Sequence, residues 1–206
     1  MKKDNTNKKF WQRVAKIYNR TRDDAVYDTI CESLSPYINI DKKVLELACG
    51  TGQITFRMAQ KAAFWEATDY SENMVEQARK RSLAEDGAGV EFSVQDATNL
   101  TCEEESFDIV VIANALHIMP APALAMQEIK RVLRKDGILF APTFVYEKGY
   151  TKWGMWLMER VGFKTYHKWT KDTFAEYVRG HGFEIVKLEL VEGKPLPECV
   201  LIGRKI

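Results

Sequence analysis

The sequence predicts a doubly wound α/β fold: a mostly parallel sheet of seven strands, an antiparallel last strand, and N-terminal helices ahead of the first strand. Three observations carry that expectation. Between residues 43 and 144, short apolar runs alternate with stretches of helical spacing, and this alternation implies right-handed crossovers and a sheet covered on both faces. Two further apolar runs close the chain, joined by the short "VEGKPLP", so they are expected to pair antiparallel. A length of 206 residues with 46% apolar content suits one well-packed domain.

The elements follow in order. Behind nine polar residues, Phe10, Val14, Ile17 and Tyr18 recur at helical spacing, and Val26, Ile30 and Leu34 repeat it before Pro36. Strands are expected at Lys43–Leu47, 64–68, Val90–Val94, Phe107–Ile112 and 137–144. Helices over 53–61, 72–85 and 121–134 lie between them, and Ser71 is placed to cap the second. Beyond the fifth strand, 148–162 reads as a helix, and Thr170 caps another that ends at Gly180 and Gly182. Strands at 183–190 and Glu198–Lys205 complete the sheet. Residues 1–206 read as a single domain, with 1–40 as a helical cap and 145–170 as an aromatic lid insertion.

Composition narrows the function classes. Thirty basic and 29 acidic residues leave no charge excess for a nucleic-acid partner. Cys31, Cys49, Cys102 and Cys199 stand far apart, which predicts neither a zinc site nor a disulfide framework; no metal is expected. The opening "MKKDNTNKKF" does not read as a signal peptide, and no apolar run approaches the roughly 20 residues a membrane span needs. The expectation is a cytoplasmic monomer or homodimer without stable membrane insertion.

The first strand carries Glu46 and feeds into Ala48-Cys49-Gly50-Thr51-Gly52. In such sheets ligands sit beyond the carboxyl ends of the strands, and glycines at 50 and 52 let a ligand approach the backbone. A carboxylate at this spot would repel a pyrophosphate but welcome an ammonium group. The third glycine of a dinucleotide fingerprint is replaced by Thr55, and no P-loop Lys-Ser/Thr pair follows. Asp69 ends the second strand, where a carboxylate accepts ribose hydroxyls, and Asp96 ends the third, within reach of an adenine amino group. Three strand-end acids suit a cationic adenosine cofactor. Asp69 also reads as a cap for the next helix, and Asp96 as a turn residue.

Four ordered segments, "VLELACGTG", "ATDYSENMVEQAR", "VQDATNL" and "FDIVVIANALHIMP", resemble the class I S-adenosylmethionine-dependent methyltransferases, a Rossmann-like family that includes the methyltransferase type 11/12 group. The resemblance is close over roughly residues 44 to 144 and holds in outline beyond. It implies S-adenosyl-L-methionine as cofactor and S-adenosyl-L-homocysteine as product. Glu46 would reach the methionine amino group, the turn through Ala48, Cys49, Gly50 and Gly52 would lie against the methionine portion, and Asp69 would bind the ribose. Tyr70 and Met74 would flank the adenine, Asp96 and Ala97 would read its edge, and Asn114 would lie beside the sulfonium. Ala48 stands where the family usually has its first glycine. Tyr18 sits where related enzymes place an aromatic over the cofactor, with Arg22 close by; helix packing explains Tyr18 equally.

Methyl transfer from a sulfonium is an in-line displacement, so the protein mainly positions the reactants and excludes water. His117 is the candidate general base and also a candidate lining residue of the acceptor pocket. The stretch "FVYEKGYTKWGMWLMERVGFKTYHKWT" holds three of the five tryptophans. Tyr146, Tyr150, Trp153 and Trp156 are its candidate acceptor contacts, with core packing the competing role for these aromatics. The expectation is a methyltransferase acting on a small molecule. Beside it stand a lipid or quinone acceptor of the ubiquinone/menaquinone type, an NAD-dependent oxidoreductase, and a non-catalytic S-adenosylmethionine-binding protein.

Overall fold

The computed structural model describes residues 6–18, 24–84, 89–147, 164–193 and 196–206. Two helices, α1 (Thr6–Tyr18) and α2 (Asp24–Leu34), precede β1 (Lys43–Leu47). Then follow α3 (Thr55–Met58), β2 (Phe64–Asp69), α4 (Glu72–Ala84), β3 (Val90–Val94), β4 (Phe107–Ile112), α5 (Pro122–Val132) and β5 (Leu133–Phe140). The described chain continues through β6 (Thr143–Phe144), α6 (Lys171–Arg179), β7 (Phe183–Val191) and β8 (Glu198–Lys205). The expected helix over 148–162 lies outside the described residues.

The strands form one sheet in the order β3-β2-β1-β4-β5-β8, with β6 also alongside β8 and β7 on its other side. β1 to β5 run parallel, and β8 is antiparallel to β5, β6 and β7. The seven-strand expectation differs in one place. The run read as 137–144 is broken into β5 and β6, which pair in turn with the two ends of β8. Pro142 sits in the gap and lacks the N–H a ladder needs.

Strand periodicity sorts the core into two layers. Val44, Ile109, Val111 and Phe140 pack with Val26, Ile30 and Leu34 of α2 and Met58 of α3. Leu45, Leu47, Val110 and Leu139 pack with Met126 and Ile129 of α5 and Phe174 and Val178 of α6. Glu46 is two residues from Val44, so it projects into the α2/α3 layer although it is charged.

Three local differences have physical causes. The helix expected over 53–61 is a single α-turn, Thr55–Met58, tightening into a 3-10 turn at Ala59–Lys61, because the glycine-rich bend extends into its start. β5 begins at Leu133 and shifts register between Phe107 and Ile109, a bulge that takes up Asp136 at φ 60°. Helix α6 starts where expected: Thr170 Oγ1 accepts from Thr173 N at 3.3 Å, and Thr173 Oγ1 accepts from Thr170 N at 2.9 Å. No helix among the described residues is long and apolar enough to cross a membrane.

Candidate functional site

The parallel strands deliver their carboxyl ends to one edge of the sheet. At the end of β1 the backbone turns left-handed three times, at Ala48 (φ 54°), Gly50 (φ 57°) and Gly52 (φ 84°). A Cβ on Gly52 would run into the Phe56 ring, so a side chain there is barred on two counts. Cys49 N donates to Thr68 O at 2.9 Å, and Gly52 N donates to Cys49 O at 2.9 Å, which lock the bend against β2.

Two carboxylates flank the bend. Glu46 is 2% exposed, and its Oε2 accepts from Thr55 Oγ1 at 2.6 Å and from the Trp65 indole at 2.9 Å. Burial pushes its carboxyl up to about 7, against the pull of those two bonds. Asp69 accepts from Gly50 N through Oδ2 at 2.9 Å and from Ser71 N through Oδ1 at 2.8 Å. Burial again dominates and raises it to about 6. Neither acid has an ion-pair partner among the described residues. A carboxylate oxygen offers two lone-pair directions, so both acids keep acceptor capacity toward the bend.

The neighbouring strand ends add further candidates. Tyr70 lies under Lys8, whose Nζ stands 4.2 Å from the ring centre, and Lys8 also bridges to Glu72 at 2.8 Å. Met74 is buried in the first turn of α4, where its N–H reaches the Ser71 hydroxyl at 3.3 Å. Asp96 Oδ1 accepts from Thr98 N at 3.0 Å and Thr98 Oγ1 at 2.7 Å, a tight turn that presents Ala97 to the core. Gln95 N donates to Asp69 O at 3.2 Å, so the ends of β2 and β3 are tied together.

Past β4, Asn114 is a second clasp. It sits at φ 52°, donates its N–H to Pro142 O at 2.8 Å, and accepts from Phe144 N through Oδ1 at 3.1 Å. That fixes the amide so that Nδ2 donates to Glu198 Oε2 at 3.1 Å. His117 is buried, its Nδ1 2.9 Å from Thr143 Oγ1 and its ring edge-on to Phe144. Burial and the neighbouring His167 lower its imidazole to about 4, so it is neutral at physiological pH and weakly basic. Tyr146 packs beside Phe10, Leu196 and Phe144, and its hydroxyl is buried without a hydrogen-bond partner among the described residues.

The site residues expected from sequence thus fall into two groups along one edge, Glu46 to Asp96 at β1–β3 and Asn114 to Tyr146 at β4–β6. Arg22, Tyr150, Trp153 and Trp156 lie outside the described residues, as does the side chain of Tyr18, whose backbone ends α1. Sequence reasoning missed Thr55, Trp65 and Glu198. Trp65 had a signal: it lies on the same sheet face as Glu46, and a buried indole seeks an acceptor.

Residues 38–177, more than half of the chain, match the family described as a methyltransferase domain. The chain belongs to the class I S-adenosylmethionine-dependent methyltransferases. This methyltransferase is 30% identical over 169 residues to the ubiquinone/menaquinone biosynthesis C-methyltransferase of Roseobacter denitrificans, covering 71% of the chain and 68% of that relative. It is 38% identical over 96 residues to the demethylmenaquinone methyltransferase of Clavibacter sepedonicus, covering 47% of the chain and 38% of that relative. Its fold is similar to the magnesium protoporphyrin IX methyltransferase of Synechocystis, solved with bound S-adenosylhomocysteine, with a TM-score of 0.69, 18% identity, and coverage of 89% and 83%. The family assignment sets aside the oxidoreductase alternative, as the acid beside the bend does on electrostatic grounds.

Proposed function

We propose that this methyltransferase holds S-adenosylmethionine along the carboxyl edge of the sheet and passes its methyl group in line to a small-molecule acceptor. The observation that carries the reading is the pair of acids without ion-pair partners among the described residues, buried Glu46 and half-buried Asp69, set around a bend whose Gly52 has no free room for a side chain. Such a cradle fits a ligand with an ammonium group and a ribose diol, and it opposes a pyrophosphate.

The donor supplies, when bound, an electrophilic methyl on a positively charged sulfur. Glu46 takes the ammonium, and the arriving cation favours its ionised form. Asp69 accepts the ribose hydroxyls while its bonds to Gly50 and Ser71 hold the bend open. Tyr70 and Met74 flank the base, with Asp96 and Ala97 at its edge. Asn114 fixes the wall beside the reacting centre, and α1 helps exclude water. Tyr146 supplies the described part of the aromatic side of the acceptor pocket, and the candidate contacts Tyr150, Trp153 and Trp156 lie outside the described residues. His117 lines that pocket and orders it: its carbonyl accepts from Tyr166 N at 3.0 Å and His167 N at 3.1 Å. Its low basicity favours this role over that of a general base.

Calorimetric titration tests the reading. S-adenosylmethionine and S-adenosylhomocysteine should bind and NAD should not. Glu46→Gln should weaken both about tenfold or more while leaving adenosine nearly unchanged, because only the first two carry the ammonium. Equal losses on all three ligands would remove Glu46 from the amino-group site. A quinol acceptor is the second reading, favoured by the apolar cluster of Phe10, Leu196 and Phe144 and by the names of the two relatives above. Methylation of a short-chain demethylnaphthoquinol would single it out.

A further inference from the structure

Glu198 opens β8 directly across from Phe144 of β6, at the same edge as the ends of β1 and β4. It is 3% exposed. The Asn114 amide gives it its one side-chain hydrogen bond among the described residues, to Oε2. Among the described residues no cation balances it: burial pushes its carboxyl up and the Asn114 amide pulls it down. Phe144 lies directly across from Glu198 on β6 and Leu196 two residues ahead of it, and both belong to the apolar cluster that holds Phe10 and Tyr146, whose hydroxyl is buried without a hydrogen-bond partner among the described residues. The titratable group on the loop packed against Phe144 is His117, which is bonded to Thr143.

A buried carboxylate with a single partner costs stability, so its retention calls for a task. Structure alone does not need it: a glutamine could keep the Asn114 bond without the charge. Its place argues for one. Asn114 spends both ends of its amide inside the protein, so it offers the acceptor no proton acceptor, and His117 is too weakly basic to be one. Glu198 remains.

We propose that Glu198 receives the proton that the methyl acceptor sheds, the acceptor reacting through an O–H or N–H. This rests on the methyl-transfer reading above. In the step, a lone pair on the acceptor's oxygen or nitrogen forms the bond to the methyl carbon. The carbon–sulfur bond breaks and its electron pair stays on sulfur. The acceptor's proton passes to the Glu198 carboxylate and on to solvent as product leaves. Burial raises Glu198 to about 7, which matches a base to neutral operation.

The experiment compares three probe acceptors with the full chain and saturating S-adenosylmethionine: 4-methoxyphenol, phenethylamine and thiophenol, the last ionised in solution without help. Glu198→Gln should lower kcat on the phenol or the amine about 100-fold or more, as loss of a general base does, and erase the rising pH limb centred near 7. Turnover of thiophenol and affinity for S-adenosylmethionine should stay within about twofold of wild type. Glu198→Asp should keep the limb at a reduced rate, which guards against a misfolded glutamine variant. The proposal is overturned by an equal loss on thiophenol, by a limb that survives in Glu198→Gln, or by wild type that methylates neither the phenol nor the amine. If wild type binds no S-adenosylmethionine, it is the parent reading that falls, and the binding titration reports that separately.

Discussion

Ala48 holds a φ of 54° on the rim of the glycine-rich bend, a conformation that costs an L-residue on the order of 1 kcal/mol. Glycine would adopt it freely, though it would lose more chain entropy on folding. The strain term is the larger of the two, so Ala48→Gly should raise stability by about 0.5–1 kcal/mol without altering the fold, read as a shift in the urea midpoint at constant slope. A loss of stability would mean the methyl group packs against something worth more than the strain. Trp65 and Thr55 show the opposite case, residues whose role is to hold another in place. Their two donors face the same oxygen of Glu46, so the acid is oriented before any ligand arrives.

At the scale of elements, α1 is stitched to both halves of the site. Lys8 and Gln12 reach Glu72 of α4, the helix that starts beside Tyr70. On the other side, Asn7 Nδ2 donates to Ile118 O at 2.8 Å and Lys164 O at 2.9 Å, and its Oδ1 accepts from Lys164 N at 2.9 Å. One side chain thereby joins the first helix, the His117 loop and the segment leading to Thr170. Asn7→Ala should cost about 1–2 kcal/mol, since three bonds are lost from a partly exposed position. Because the loss is local, amide exchange in α1 should quicken about tenfold or more while β1 and β4 keep their protection. Uniform acceleration would place Asn7 in the global unfolding unit instead. No local pattern announces this residue, because its partners lie 111 and 157 positions away.

For the whole molecule, the sheet and its helical layers were legible because burial on both faces leaves an unmistakable trace, apolar runs separated by amphipathic helices. Glu46, Asp69 and the bend were legible for the converse reason: polar and small residues interrupt such a run only where something binds or turns. Glu198 carried no such trace, since an acid at the first position of a strand reads as a solvent-facing end until β6 is laid across it. These acids have a collective consequence. Glu46 and Glu198 are raised from 4.5 to about 7, and Asp69 from 3.8 to about 6. Between those limits the native state keeps protons that the unfolded chain has released, so their contribution to stability falls as pH rises and levels off above about 7. His117, lowered from 6.5 to about 4, acts in the opposite sense below 6.5, so the curve of the wild type alone mixes the two. The difference between wild type and Glu46→Gln isolates one acid. As pH climbs from 4.5 to 7.5, the variant should gain on the wild type by up to about 3 kcal/mol, following from one carboxyl raised to about 7. Denaturant midpoints measured across that range without ligand would show the gap widening. Parallel curves would mean that Glu46 ionises as easily in the folded protein as out of it, and that the bend is not the dry, negatively biased cradle on which the proposed cofactor selection rests.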